Sequence, residues 1–130
     1  MYKVQETDYG LEFSLEGFVQ EEEMKSFSKE VGKVMRKLTQ GFGILADMRG
    51  MSTLPPESRA VMEHNMELAK QAGMGRSAEI VNDFIAAMQF RRMAKEAGIS
   101  SLMRQIDAGS VADCKRIAID WIVKGIDPDK

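Results

Sequence analysis

Phe42-Gly43-Ile44-Leu45-Ala46-Asp47 is the stretch on which the fold turns. A short, unbroken apolar run closed by an acidic residue predicts a strand buried on both faces, the habit of strands inside parallel sheets. Parallel neighbours require crossover connections, so helical segments should flank it. They do. On the amino-terminal side, Met24, Phe27, Val31, Val34 and Leu38 recur at spacings of three and four, predicting a helix from about Glu21 to Leu38. Glu21-Glu22-Glu23 in its first turn and Arg36-Lys37 in its last suit the helix dipole, which accounts for the charge run without a partner. On the carboxyl-terminal side, Met48 to Leu54 reads as a loop, and Pro55-Pro56 opens a second helix running to about Ala72.

Further out, Leu11, Phe13 and Leu15 alternate with Glu12, Ser14 and Glu16, a half-buried strand. Tyr2 to Thr7 alternates more weakly, and Asp8-Tyr9-Gly10 turns between the two, so the chain should open with an antiparallel hairpin whose polar first strand lies at the sheet edge. Ala78 to Val81 reads as a strand, Phe84 to Ala97 as a third helix that either Asn82 or Asp83 can cap and Gly98 stops, and Leu102 to Ile106 as the last strand. Ser110-Val111-Ala112-Asp113 has the form of a capping box. The helix after it carries Val111, Cys114, Ile117, Ala118, Trp121 and Ile122 on one stripe, and Asp127 to Lys130 form a polar tail expected to fray. The expectation is one α/β domain over residues 1–126, with a five-stranded mixed sheet, an antiparallel edge hairpin and four helices.

The length of 130 residues fits one domain. Hydrophobic residues make up 44% and charged residues 29%, the balance of a folded globular chain. Eighteen basic against 20 acidic residues give a net charge of −2, against the basic balance of a nucleic-acid binder. No apolar run reaches the roughly 18 residues of a membrane span. The first residues show no export signal, and a single Cys suits a reducing compartment, so a cytoplasmic location is expected.

Catalytic chemistry finds little support. One His and one Cys cannot furnish a typical zinc site, and no cofactor is expected. His64 should face solvent from the second helix, and Cys114 sits on an apolar stripe, where a thiol behaves as a small hydrophobe. Gly41-Phe42-Gly43 and Gly73-Met74-Gly75 precede strands, whereas a phosphate-binding loop follows one, so both read as turns.

Open α/β sheets bind ligands at the carboxyl ends of their strands. Here those ends bring Phe18, Asp47, Met48, Arg49, Met51 and Asn82 into consideration. Asp47, Arg49 and Asn82 would recognise a polar headgroup; the plainer use is for Asp47 to pair with Arg49 and for Asn82 to cap the third helix. That helix holds the least ordinary feature. Ala86, Ala87, Phe90, Met93, Ala94 and Ala97 can face the sheet, while Phe84, Ile85 and Met88 fall in another sector, so its first turns are apolar nearly all round. Arg91, Arg92 and Lys95 follow. Such a surface serves as a pocket wall, a protein contact or a membrane-dipping tip, unless neighbouring loops cover it.

Arg91 to Ile99, Leu102 to Asp107 and Ser110 to Ile122 together resemble the closing pattern of the SpoIIAA-like proteins of the STAS superfamily, and Ile44-Leu45-Ala46-Asp47-Met48-Arg49-Gly50 is similar to the family's central strand. The resemblance spans nearly the whole chain and implies a right-handed β-α superhelix. Anti-sigma-factor antagonists of this superfamily carry a phosphorylatable Ser at the start of the following helix. The matching stretch here is Pro55-Pro56-Glu57-Ser58, with Pro56 in the Ser position and Ser58 in that of a Gly. The branch without the switch is similar in fold to lipid-binding CRAL-TRIO domains. The resemblance and the apolar helix start together suggest a non-enzymatic domain that takes an apolar or amphiphilic small molecule or docks on a membrane surface. Phe18, Met48, Met51, Phe84, Ile85 and Met88 would line the site, with Asp47, Arg49 and Asn82 at its polar end. The alternative is a regulatory protein-interaction module, homodimeric or bound to another protein through the same patch.

Overall fold

The computed structural model describes residues 1–130 and contains nine elements: β1 (Tyr2–Glu6), β2 (Gly10–Gly17), α1 (Glu21–Met35), β3 (Gly43–Met51), α2 (Pro56–Gln71), β4 (Ser77–Val81), α3 (Phe84–Ala97), β5 (Met103–Asp107) and α4 (Cys114–Lys124). The strands form one mixed sheet in chain order, β1-β2-β3-β4-β5. β1 runs antiparallel to β2 at the edge, and every other pair is parallel.

The helices divide three to one across the sheet. Leu11, Phe13 and Leu15 of β2, with Ile44, Ala46 and Met48 of β3, meet Met24, Phe27 and Val31 of α1, Met62 and Met66 of α2, and Phe90 and Met93 of α3 in the main core. Leu45, Ala78, Ile80 and Ile106 face the other way and meet Cys114, Ala118, Trp121 and Ile122 of α4. One helix covers only the β3–β5 half of its face. β2 therefore alternates, with Glu12 and Ser14 half-exposed, whereas Gly43 to Ala46 and all of β4 are buried.

β3 continues four residues beyond Asp47, where the sequence reads as a loop. A register shift between Ser14 and Glu16 lets the pairing resume at Glu16 with Gly50 and Gly17 with Met51. The two glycine turns lock together: the Gly41 amide donates to the Gly73 carbonyl and the Gly75 amide to the Phe42 carbonyl, both at 2.7 Å. A Cβ on Gly75 would stand 2.5 Å from the Gly41 carbonyl oxygen, so a bare backbone is required there.

Three local expectations are corrected. α1 ends at Met35, short of Leu38, although Leu38 still packs against the core. The Ser110 capping box does not form; the Ser110 hydroxyl donates to Asp107 Oδ2 at 2.8 Å, and α4 begins three residues later behind Asp113, with Val111 left exposed. The carboxyl-terminal tail is tied down, since Arg104 grips Asp127 with Nε at 2.9 Å and Nη2 at 3.1 Å, and the same guanidinium lies 4.3 Å over the Trp121 ring.

Ser58, the residue in the Gly position of the resemblance, is wholly buried and its hydroxyl donates to the Val19 carbonyl at 2.8 Å. Replacing Ser58 with Ala leaves that buried carbonyl without its partner and should cost about 1–2 kcal/mol, measured as a lower urea midpoint with an unchanged slope.

Candidate functional site

The residues singled out at the sheet's carboxyl edge do not form one site. Alternation along β3 puts Met48 on the main-core side, while Leu45, and by the same parity Asp47, look toward the α4 side; Arg49 follows Asp47 through their hydrogen bonds, and the register shift beyond Asp47 returns Met51 to the main core. Met48 and Met51 are 2% and 3% exposed, so they belong to the packed interior and not to a surface lining. Asp47 and Arg49 satisfy each other: Arg49 Nε reaches Asp47 Oδ1 at 3.0 Å and Nη2 reaches Oδ2 at 2.7 Å. That bidentate hydrogen bonding holds the Asp47 carboxyl below its usual range. Nearby, Lys115 Nζ takes Glu12 Oε2 at 2.9 Å on the same side of the sheet. Asn82 is exposed in the β4–α3 turn, and the capping role falls to Asp83, whose Oδ1 accepts from the Ala86 amide at 3.0 Å.

The start of α3 is a different matter. Phe84, Ile85 and Met88 are 74%, 57% and 48% exposed, and no loop covers them; Phe18 in the β2–α1 connection is likewise 61% exposed. Phe84, Met88, Arg91 and Lys95 follow one another at helical spacings of four, three and four, so they share a line along α3. The upper half of that line is apolar and the lower half basic. Arg91 lies roughly 10 Å further along the axis than Phe84, at 1.5 Å of rise per residue. The first turn contains no acidic side chain beyond the cap itself. Beside this line an open groove of about 760 Å³ runs between α2 and α3, with Ile85, Met88, Arg92 and Lys95 on one wall and Arg59 and Glu63 on the other.

The apolar tip is held rigidly. Gln89 clips α3 to the chain before α2, accepting from the Leu54 amide at 3.0 Å and donating to the Leu54 carbonyl at 3.4 Å. On the opposite side of the helix Ala86, Ala87, Phe90, Met93 and Ala94 are buried, as their spacing predicts.

One polar arrangement has no counterpart in the sequence reading. Glu79 points from the middle of β4 into the main-core side and is only 6% exposed. Its Oε1 accepts from Gln105 Nε2 at 3.0 Å; the same amide nitrogen donates to the Ala87 carbonyl of α3 at 2.9 Å, and Gln105 Oε1 accepts from Arg91 Nη2 at 2.9 Å. Burial pushes the Glu79 carboxyl up to about 7, against the opposing pull of the Gln105 hydrogen bond and the Arg91 charge. Beside it lies a cavity of about 50 Å³, otherwise mostly apolar, to which Asn65 and Ser77 also contribute. The signal available in the sequence was a lone Glu within the strand Ala78-Glu79-Ile80-Val81, between residues that read as buried.

His64 is exposed and Cys114 is buried with its thiol toward the Val111 carbonyl, as expected from their positions. No group of three or more His, Cys, Asp or Glu side chains is placed to hold a metal ion. No helix is long and apolar enough to cross a membrane. No protein-family model matches the chain, and no curated protein matches it significantly.

Proposed function

We propose that this chain is a non-enzymatic, SpoIIAA-like domain that docks on amphiphiles at a membrane surface through the start of α3, with anionic lipid as the favoured class. The observation that carries the reading is the division of one exposed helix line into apolar Phe84 and Met88 and basic Arg91 and Lys95, flanked by Ile85 and Arg92. A tilted helix that sinks its first turns below the headgroups brings the guanidinium and ammonium groups level with the phosphates, where long basic side chains reach back to the aqueous boundary. Each apolar side chain transferred contributes about 2 kcal/mol, and each basic residue about 1 kcal/mol against an anionic leaflet. Three residues of each kind give the scale of reversible, peripheral attachment. Phe18 adds apolar area at the same end of the sheet, and the Asp47–Arg49 pair, already mutually satisfied, serves the fold on the other face.

Sedimentation with vesicles tests this directly. The protein should pellet with phosphatidylcholine vesicles containing one-fifth phosphatidylglycerol and much less with pure phosphatidylcholine, and raising the salt should release it. Absence of binding to either composition, together with a concentration-dependent dimer in sedimentation velocity, would favour the protein-interaction reading of the same patch.

A further inference from the structure

Resting on that reading, we propose that the buried Glu79–Gln105–Arg91 chain makes docking on anionic membranes proton-dependent, tighter when Glu79 is neutral. The geometry links a core carboxyl to the docking helix at two points. Gln105 Nε2 bridges Glu79 Oε1 and the Ala87 carbonyl of α3, and Gln105 Oε1 receives Arg91 Nη2 from the exposed line of that helix. An ionised Glu79 polarises the Gln105 amide in the sense that strengthens its hold on Arg91, and its charge attracts the guanidinium through the low-dielectric interior. A neutral Glu79 gives up both effects. Arg91 is then freer to turn toward a lipid phosphate, and the region beneath α3 has lost one negative charge.

Arg91 is the charged group that faces Glu79. The side chains packed around it from the other elements are uncharged: Ala46 of β3, Asn65 and Met66 of α2, Phe90 of α3, and Met103 and Gln105 of β5. His64 lies elsewhere, on the exposed side of α2 beside Glu57 and Lys25. A carboxyl that burial holds near neutrality places the change in a usable range.

The test measures vesicle affinity at pH 6 and pH 8 with phosphatidylglycerol, whose phosphodiester stays ionised at both. Wild type should bind about three-fold more tightly at pH 6, the effect of about 1 kcal/mol for one charge that is not fully titrated at either pH. Glu79→Gln should bind equally at both values, at the wild-type pH 6 level. Arg91→Gln, an exposed change that spares the core, should bind more weakly and with a smaller pH ratio than wild type, since only the loss of the Glu79 charge then remains. His64→Asn should keep the wild-type ratio. A ratio that survives in Glu79→Gln, or that vanishes in His64→Asn, overturns the proposal. Equal wild-type binding at the two pH values overturns it while leaving the docking surface standing; no wild-type binding at either value overturns both.

Discussion

At pH 8 the Glu79→Gln protein should melt about 10 °C above wild type. Glu79 sits in the middle of a strand buried along its whole length, and burial raises its carboxyl from 4.5 to about 7. The folded state therefore holds a proton that the unfolded chain releases, so stability is full below about pH 4.5 and declines as the pH rises toward 7. Above 7 the carboxylate is ionised in both states and the whole cost is present. A difference of about 2.5 units corresponds to roughly 3 kcal/mol. With the unfolding entropy usual for a chain of this size, that is a shift of about 10 °C. Gln has the same shape, keeps an oxygen to accept from Gln105 and carries no charge. Near pH 5 the two proteins should differ by about 1 kcal/mol. Thermal melts of both proteins at pH 5 and pH 8 decide it, and coincident transitions at pH 8 would show that Glu79 ionises without cost in the folded protein. The comparison needs no lipid, so it separates the energetics of the carboxyl from the docking surface.

Replacing Phe84 and Met88 together by Asp should weaken binding to anionic vesicles at least about 100-fold, while the fold persists. The loss combines two apolar transfers of about 2 kcal/mol each with two new negative charges facing anionic lipid. Both positions are exposed, so unfolding free energy should move by no more than about 1 kcal/mol. An acidic side chain in the first turn of α3 also suits the helix dipole. Titrating vesicles against fluorescently labelled protein gives the affinity, and urea unfolding provides the control. A double variant that binds as wild type does would remove α3 from the docking surface, whereas a variant with a collapsed urea midpoint would show that these side chains are part of the core.

How far the sequence reaches differs between elements for identifiable reasons. The β2 alternation was readable because that strand has one solvated face, and the buried stripe of α3 because a rigid helix presents fixed angles to a flat sheet. The end of β3 was not readable. Arg49 and Gly50 look like loop residues in isolation, and only β2, paired through a register shift, makes them strand. The start of α4 was not readable for a related reason: the Ser110 hydroxyl donates to Asp107 Oδ2 instead of accepting from the amides of a first helical turn.

By itself, then, the sequence determined the mixed α/β sheet, its antiparallel edge and the all-round apolar opening of α3, because these follow from periodicities that act within one element; that no loop covers this opening was decided by the tertiary structure. Tertiary structure alone decided the rest. It placed Asp47 on the opposite side of the sheet from Met48, with Arg49 bound to it, since the alternation of β3 takes effect only once helices cover both faces. It buried Met48 and Met51, and it brought Glu79, Gln105 and Arg91 from three separate elements into one hydrogen-bonded chain. Such a chain depends on which residues of neighbouring strands fall side by side, here Glu79 with Gln105, and that register is set by the packing of the whole sheet.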